Sequence, residues 1–186
     1  MKLSNFKEKT LKILVAGHVG AGKTTFVTTV SQIPVLKTEA KLSRQEEKPV
    51  SPTTTVAFDF GKINDEQKLA IFGIPGQRRF SFMWKTLIKG TLGYIFMFDS
   101  TNPALWKDTM EQFEMFMDIN PVPFVFVANK QDLPNALKPE NIRQSLRIPE
   151  EVPVVPCIAL DRTSTRETLA VLLQLMKKFC GDDNVG

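Results

Sequence analysis

The chain has 186 residues, 42% hydrophobic and 24% charged, an ordinary globular composition at the length of one domain with a full core. Its 24 basic and 20 acidic residues are scattered with no like-charge block longer than a dipeptide, so the formal +4 reads as a solvated mixed surface and excludes a nucleic-acid patch. The longest apolar runs, YIFMF and VFVA, fall far short of the roughly 18 residues a spanning helix needs.

In chain order, a short extension over 1–10 precedes a strand at 11–17, LKILVAG. A glycine-rich turn and a helix start follow. The stretch 34–54 carries three prolines, many charges and no sustained period, and reads as a long mobile loop. The strand at 55–62 alternates Val56, Phe58 and Phe60 with smaller or polar neighbours, and INDE joins it to a strand at 67–73 as a hairpin. Further strands are expected at 93–99, 122–128 and 152–157, each reading as buried on both faces. Asn102 and Pro103 open a helix to about 119, and Pro139 opens a short one through Leu146. Ser164 with Glu167 forms a capping box, ahead of an apolar stripe of Leu169, Leu172, Leu173, Met176 and Phe179. Residues 181–186 are a tail. Strands alternating with helices predict an α/β domain over 11–180, with six strands, mostly parallel, one antiparallel hairpin strand and about five helices.

The start MKLSNF offers neither a signal peptide nor the glycine at position two that myristoylation requires, and Cys180 stands too far from the end for prenylation. A cytoplasmic protein with no direct membrane anchor is expected. Cys157 and Cys180 belong to no CxxC pair and read as two reduced thiols, a disulfide between them being the lesser alternative.

Two motifs carry chemistry. GHVGAGKT, Gly17 to Thr24, matches G-x-x-x-x-G-K-[ST] between a strand and a helix start, which marks a P-loop NTPase. In such a loop the N–H groups around Val19, Gly20, Ala21 and Gly22 turn toward phosphate oxygens at a helix N-terminus. Lys23 reaches the outer phosphates, and the Thr24 hydroxyl, with Thr25 beside it, is placed for Mg²⁺. His18 stands at a position the pattern leaves free and reads as an exposed bystander. The second motif, ANKQD, follows the fifth strand at the sheet's carboxyl edge, where open α/β folds bind ligands. A carboxylate such as Asp132 accepts two hydrogen bonds from N1–H and the exocyclic amine of guanine, a pair that adenine lacks. Asn129 and Lys130 complete the motif.

With both motifs in place, the chain resembles the small Ras-like GTPases from about Leu11 to Phe179, and within them the prokaryotic Arf-like, MglA-like and conservon-type group. The likeness extends to TTTVAFDFG, PGQRRFSFMW and KGTLGYIFMFDST. It implies a guanine-nucleotide switch that binds GTP or GDP with Mg²⁺ and slowly hydrolyses GTP. It makes Thr55, in a run with Thr53 and Thr54, the switch I threonine that ligates the metal. It also gives Gly76 the N–H that meets the γ-phosphate, Gln77 the attacking water, and the segment with Ala159 and Leu160 a contact with the base. Two departures stand out. The family's D-x-x-G-Q aspartate is replaced by Gly73, which implies weaker magnesium affinity and altered nucleotide exchange. Val19 replaces a small residue beside the γ-phosphate, which implies slow turnover. No arginine stands beside Thr55, and Arg78 and Arg79 read as the solvated start of a helix, so an activating protein in trans is expected to supply roughly 10³–10⁵ in rate. The resemblance points to a Roadblock/LC7-domain regulator and leaves the effector open, with Phe80, Phe82, Met83 and Trp84 as a candidate docking face. Two rival readings remain at this point: a GTP-binding module with negligible hydrolysis, and a P-loop kinase or ATPase using Asp99 as its magnesium carboxylate.

Overall fold

The computed structural model describes residues 11–42, 54–64 and 69–182. All six expected strands are present: β1 (Leu11–Gly17), β3 (Thr54–Asn64), β4 (Leu69–Gly73), β5 (Gly93–Asp99), β6 (Phe124–Asn129) and β7 (Val154–Pro156). A seventh, β2 (Leu36–Leu42), lies within the stretch read from sequence as a mobile loop, and pairs antiparallel with β3 at the sheet edge. Its LKTEAKL does alternate, Leu36, Thr38, Ala40 and Leu42 against Lys37, Glu39 and Lys41, and charged alternation of this kind suits an edge strand. The rest of that stretch, 43–53 with Thr53 in it, lies outside the described residues, as do 1–10 and 183–186.

The strand order is β2-β3-β4-β1-β5-β6-β7, with β3 also antiparallel to β4 and every other neighbour parallel. Period-two alternation sorts the side chains onto two faces. Ile13, Val15, Ile95, Met97, Val125 and Val127 face one apolar cluster with Phe26 and Val27 of α1 (Lys23–Val30) and Leu169, Leu172 and Met176 of α5 (Arg162–Asp182). Leu14, Ala16, Tyr94, Phe96, Phe98 and Phe126 face the other, with α2 (Ser81–Ile88), α3 (Trp106–Ile119) and α4 (Pro139–Leu146). Here Phe96 meets Phe113, Phe116, Phe124 and Phe126 at centroid distances of 5.4–6.3 Å, mostly edge-on, the arrangement that aromatic quadrupoles favour. The expected α5 stripe is core at Leu169, Leu172 and Met176, but Phe179 is 52% exposed.

The cap of helix α5 lies three residues before the start of the expected capping box. Asp161 is its cap: the Ser164 N–H donates to Asp161 Oδ1 at 2.7 Å, and Ser164 Oγ turns back to accept from the Ile158 N–H at 2.9 Å. Both cysteines are free thiols, Cys157 buried and Cys180 half-buried. Asp161→Ala removes the side-chain cap of this turn and should lower stability by about 1 kcal/mol, read as a fall in thermal midpoint.

Candidate nucleotide site

Strand order reverses at β1, so the crevice beyond its carboxyl end is the topological switch point of the sheet. The loop 18–22 sits there, and a cavity of about 300 Å³ opens beside it. Val19, Gly20, Lys23 and Thr24 line one side, Gly76 and Gln77 the other, and Asp59 the floor between them. Lys23 Nζ donates to the carbonyls of Gly17 at 2.8 Å and His18 at 2.6 Å. Burial pushes its pKa down to about 8, against the opposing pull of Asp59. A buried ammonium resting on two carbonyls at the start of α1 is a cation awaiting an anion. Val19 is 53% exposed at the cavity mouth, Gln77 is exposed, and Thr25 is half-buried on the first turn of α1.

His18 corrects an expectation: it is 1% exposed, not an exposed bystander. Its Nδ1 lies 2.8 Å from the Val19 carbonyl and its Nε2 accepts the Asp99 N–H at 3.1 Å. That pattern needs the neutral ring protonated on Nδ1. Two side chains of α3 that sequence reasoning missed hold the same loop: Thr109 Oγ1 accepts from the His18 N–H at 3.0 Å, and Gln112 Oε1 from the Gly17 N–H at 2.9 Å. The signal for them was available, because both polar residues share the helix face of the buried Trp106 and Phe116.

Gly73, where the D-x-x-G-Q carboxylate is missing, pairs in register with Asp59 on β3. The Thr24 hydroxyl donates to Asp59 Oδ2 at 2.5 Å, and a Cβ built on Gly73 would lie 3.2 Å from both Asp59 Cβ and Oδ2. A side chain on Gly73 would press on Asp59, and the carboxylate beside Thr24 comes from the neighbouring strand. Asp59 likewise escaped sequence reasoning, since only the cross-strand register places it beside Gly73. Thr55 lies on β3 opposite Lys41, four residues before Asp59 and so about 13 Å along the strand at ~3.3 Å per residue. Its side chain lies outside the described residues.

At the base side, Asn129 ends β6 and bridges two loops: its Nδ2 donates to the Ala21 carbonyl at 2.8 Å, and its Oδ1 accepts the Ala159 N–H at 2.9 Å. Gly22 has φ +98°, and a Cβ there would lie 2.2 Å from Asn129 Nδ2, so both backbone and space demand glycine. Asp132 is exposed just beyond, and Leu160, 76% exposed, follows Ala159. Lys130, at φ 68°, donates to Asp99 Oδ2 at 2.5 Å, and Asp99 Oδ1 also accepts from the Thr101 N–H and hydroxyl. Burial alone would raise the Asp99 pKa, but the bonds from Lys130 and Thr101 outweigh it and hold the carboxyl below its ordinary value. Asp99 is therefore engaged structurally, away from the phosphate cavity, and cannot serve the kinase or ATPase reading as drawn.

The His18 pKa is lowered from 6.5, first by burial and further by Lys23, against the Val19 hydrogen bond and the charges of Asp99 and Asp108. With the folded-state value below the unfolded one, the unfolded chain takes up the proton first, so stability falls as pH drops through and below 6.5. Thermal midpoints measured from pH 7.5 to 5.5 should decline for the wild type and be flatter for His18→Gln.

A family model, described as the ADP-ribosylation factor family, matches residues 1–176. The mutual gliding-motility protein MglA of Myxococcus xanthus is 29% identical over 167 residues, covering 81% of this chain and 84% of that protein. The ADP-ribosylation factor-like protein 3 of Saccharomyces cerevisiae is 28% identical over 141 residues, covering 74% of this chain and 68% of that protein. The resemblance to Ras-like GTPases of the Arf and MglA type holds, and with it GTP binding and GTPase activity. The chain belongs to the ADP-ribosylation factor family.

Proposed function

We propose that this Arf-family GTPase is a slow guanine-nucleotide switch whose nucleotide lies across the two loops that Asn129 ties together. The bridge from Ala21 to Ala159 carries the reading, because it sets the phosphate loop and the base loop at one rim with a single side chain. The phosphates take the N–H groups of 19–25 and the Lys23 ammonium. Asp132 accepts from N1–H and the exocyclic amine of guanine. The base oxygen takes the Leu160 N–H, together with the Ala159 N–H that Asn129 shares.

Magnesium fits the residues present. Thr24 and Asp59 place two hard oxygen donors side by side, and Mg²⁺ draws its remaining ligands from phosphate and water. The bound metal neutralises charge on the phosphates. Asp59 supplies the carboxylate that Gly73 lacks, which softens the expected weakness toward the metal. For Thr55 to reach it as well, the pairing at the β2–β3 edge must change, which makes that edge the moving part of the switch.

Gln77 orients the attacking water. Val19 at the cavity mouth crowds it, and Arg79 lies over the Phe80 ring at 4.7 Å, so the intrinsic rate is low and an activating protein acts in trans. Likeness to MglA supports a Roadblock/LC7-domain regulator by analogy only. A cytoplasmic location is part of the same reading; among the described residues no helix is long and apolar enough to cross a membrane. The exposed Val19 favours one alternative, a GTP-binding module with negligible hydrolysis.

Single-turnover assays separate the two readings: slow conversion of bound GTP to GDP supports the switch, and GTP that persists under every condition supports the module. Asp132→Asn should exchange guanine for xanthine preference in competition binding. Asp59→Ala should speed GDP release at least tenfold in millimolar Mg²⁺ and change little in EDTA, measured with a fluorescent GDP analogue; equal release in Mg²⁺ would remove Asp59 from the metal site.

A further inference from the structure

Gln112 lies on α3, 1% exposed, on a face it shares with Trp106, Thr109 and Phe116. A primary amide on such a face is tolerated only when its polar atoms are matched. Its Oε1 accepts the Gly17 N–H at 2.9 Å, while its Nε2 donates to the Gly76 carbonyl at 3.3 Å and makes a long contact of 3.5 Å with the Gly17 carbonyl. One side chain thus touches both the phosphate loop and the turn after β4.

We propose that Gln112 is a positioning residue for GTP hydrolysis, fixing the Gly76–Gln77 peptide of that turn against the phosphate loop. The inference rests on the switch reading above and names a residue that acts on Gln77 through the backbone. Gly76 sits backbone to backbone on the loop: a Cβ there would lie 2.5 Å from the Gly17 carbonyl oxygen and 2.8 Å from the Val19 nitrogen. Such a seat fixes where the Gly76 Cα lies but leaves the following peptide free to rotate. The amide of Gln112 removes that freedom, because the peptide is planar and holding the Gly76 carbonyl also orients the Gln77 N–H. Gln77 is exposed, and no side-chain hydrogen bond of its own is found among the described residues. The preceding peptide therefore bears on where its Cα–Cβ bond points. Thr109, one turn earlier, accepts from the His18 N–H and donates to the Met97 carbonyl of β5 at 3.4 Å, with no hydrogen bond to Gly76 among the described residues.

Gln112→Glu tests this, because it keeps an acceptor for the Gly17 N–H and puts an acceptor where the donor to Gly76 was. Backbone amide exchange is read at Gln77 in the full-length protein, alongside GDP affinity and single-turnover hydrolysis. The expected result is Gln77 exchange and hydrolysis each changed by about tenfold, roughly the worth of one such bond, and β5 exchange unchanged. Thr109→Val should leave Gln77 exchange at the wild-type rate. If a buried glutamate prevents folding, Gln112→Met serves, with faster Gln77 exchange expected and weaker GDP binding besides. Wild-type Gln77 exchange in Gln112→Glu or Gln112→Met would overturn the proposal, as would acceleration spread equally through β5. The exchange measurement needs no GTP, so it stands even if hydrolysis itself is never found.

Discussion

The amide of Asn129 is the joint on which the site depends. It uses its donor on a carbonyl of the phosphate loop and its acceptor on an N–H of the base loop, so two segments 138 residues apart, at Ala21 and Ala159, are held at one spacing by one side chain. Each bond has a net worth of about 1 kcal/mol, yet leaving either buried partner unmatched costs more than the bond itself gains. The glycine at position 22 follows from this joint, since any larger residue would occupy the place of the amide. The parallel arrangement of β1, β5 and β6 follows in the same sense, because it brings the ends of β1 and β6 to the same edge of the sheet.

Around that joint the phosphate loop is held from beneath by neutral polar groups. Thr109, Gln112 and the ring of His18 match buried N–H groups without placing a charge under the loop, which leaves Lys23 as the cation facing the cavity. The acidic counterpart comes from Asp59. Its carboxylate lies close against Gly73 and meets the Thr24 hydroxyl, so a carboxylate stands beside the cavity although position 73 carries none. Asp59 and Thr55 lie on the same strand, β3.

Much of this was readable from residues in a row. Strands buried on both faces, such as GYIFMFD, and the two loop motifs declare themselves locally, and the hairpin of β3 with β4 follows from alternation. What escaped depended on neighbours distant in sequence. The burial of His18 comes from α3 and the end of β5 closing over it, and the role of Asp59 comes from register with Gly73. Strand β2 was hidden because its charged alternation lies among prolines and gains its partner only from β3. The start of α5 moved because Ser164 is drawn inward to the Ile158 N–H, which leaves Asp161 to cap the helix.

The most direct test is a crystal structure of the protein with GDP and Mg²⁺. The account predicts the diphosphate on the N–H groups of 20–25, the guanine edge on Asp132, and the Asn129 bridge intact between them. A nucleotide held by one loop alone, or loops that part so that Asn129 no longer joins them, would contradict it.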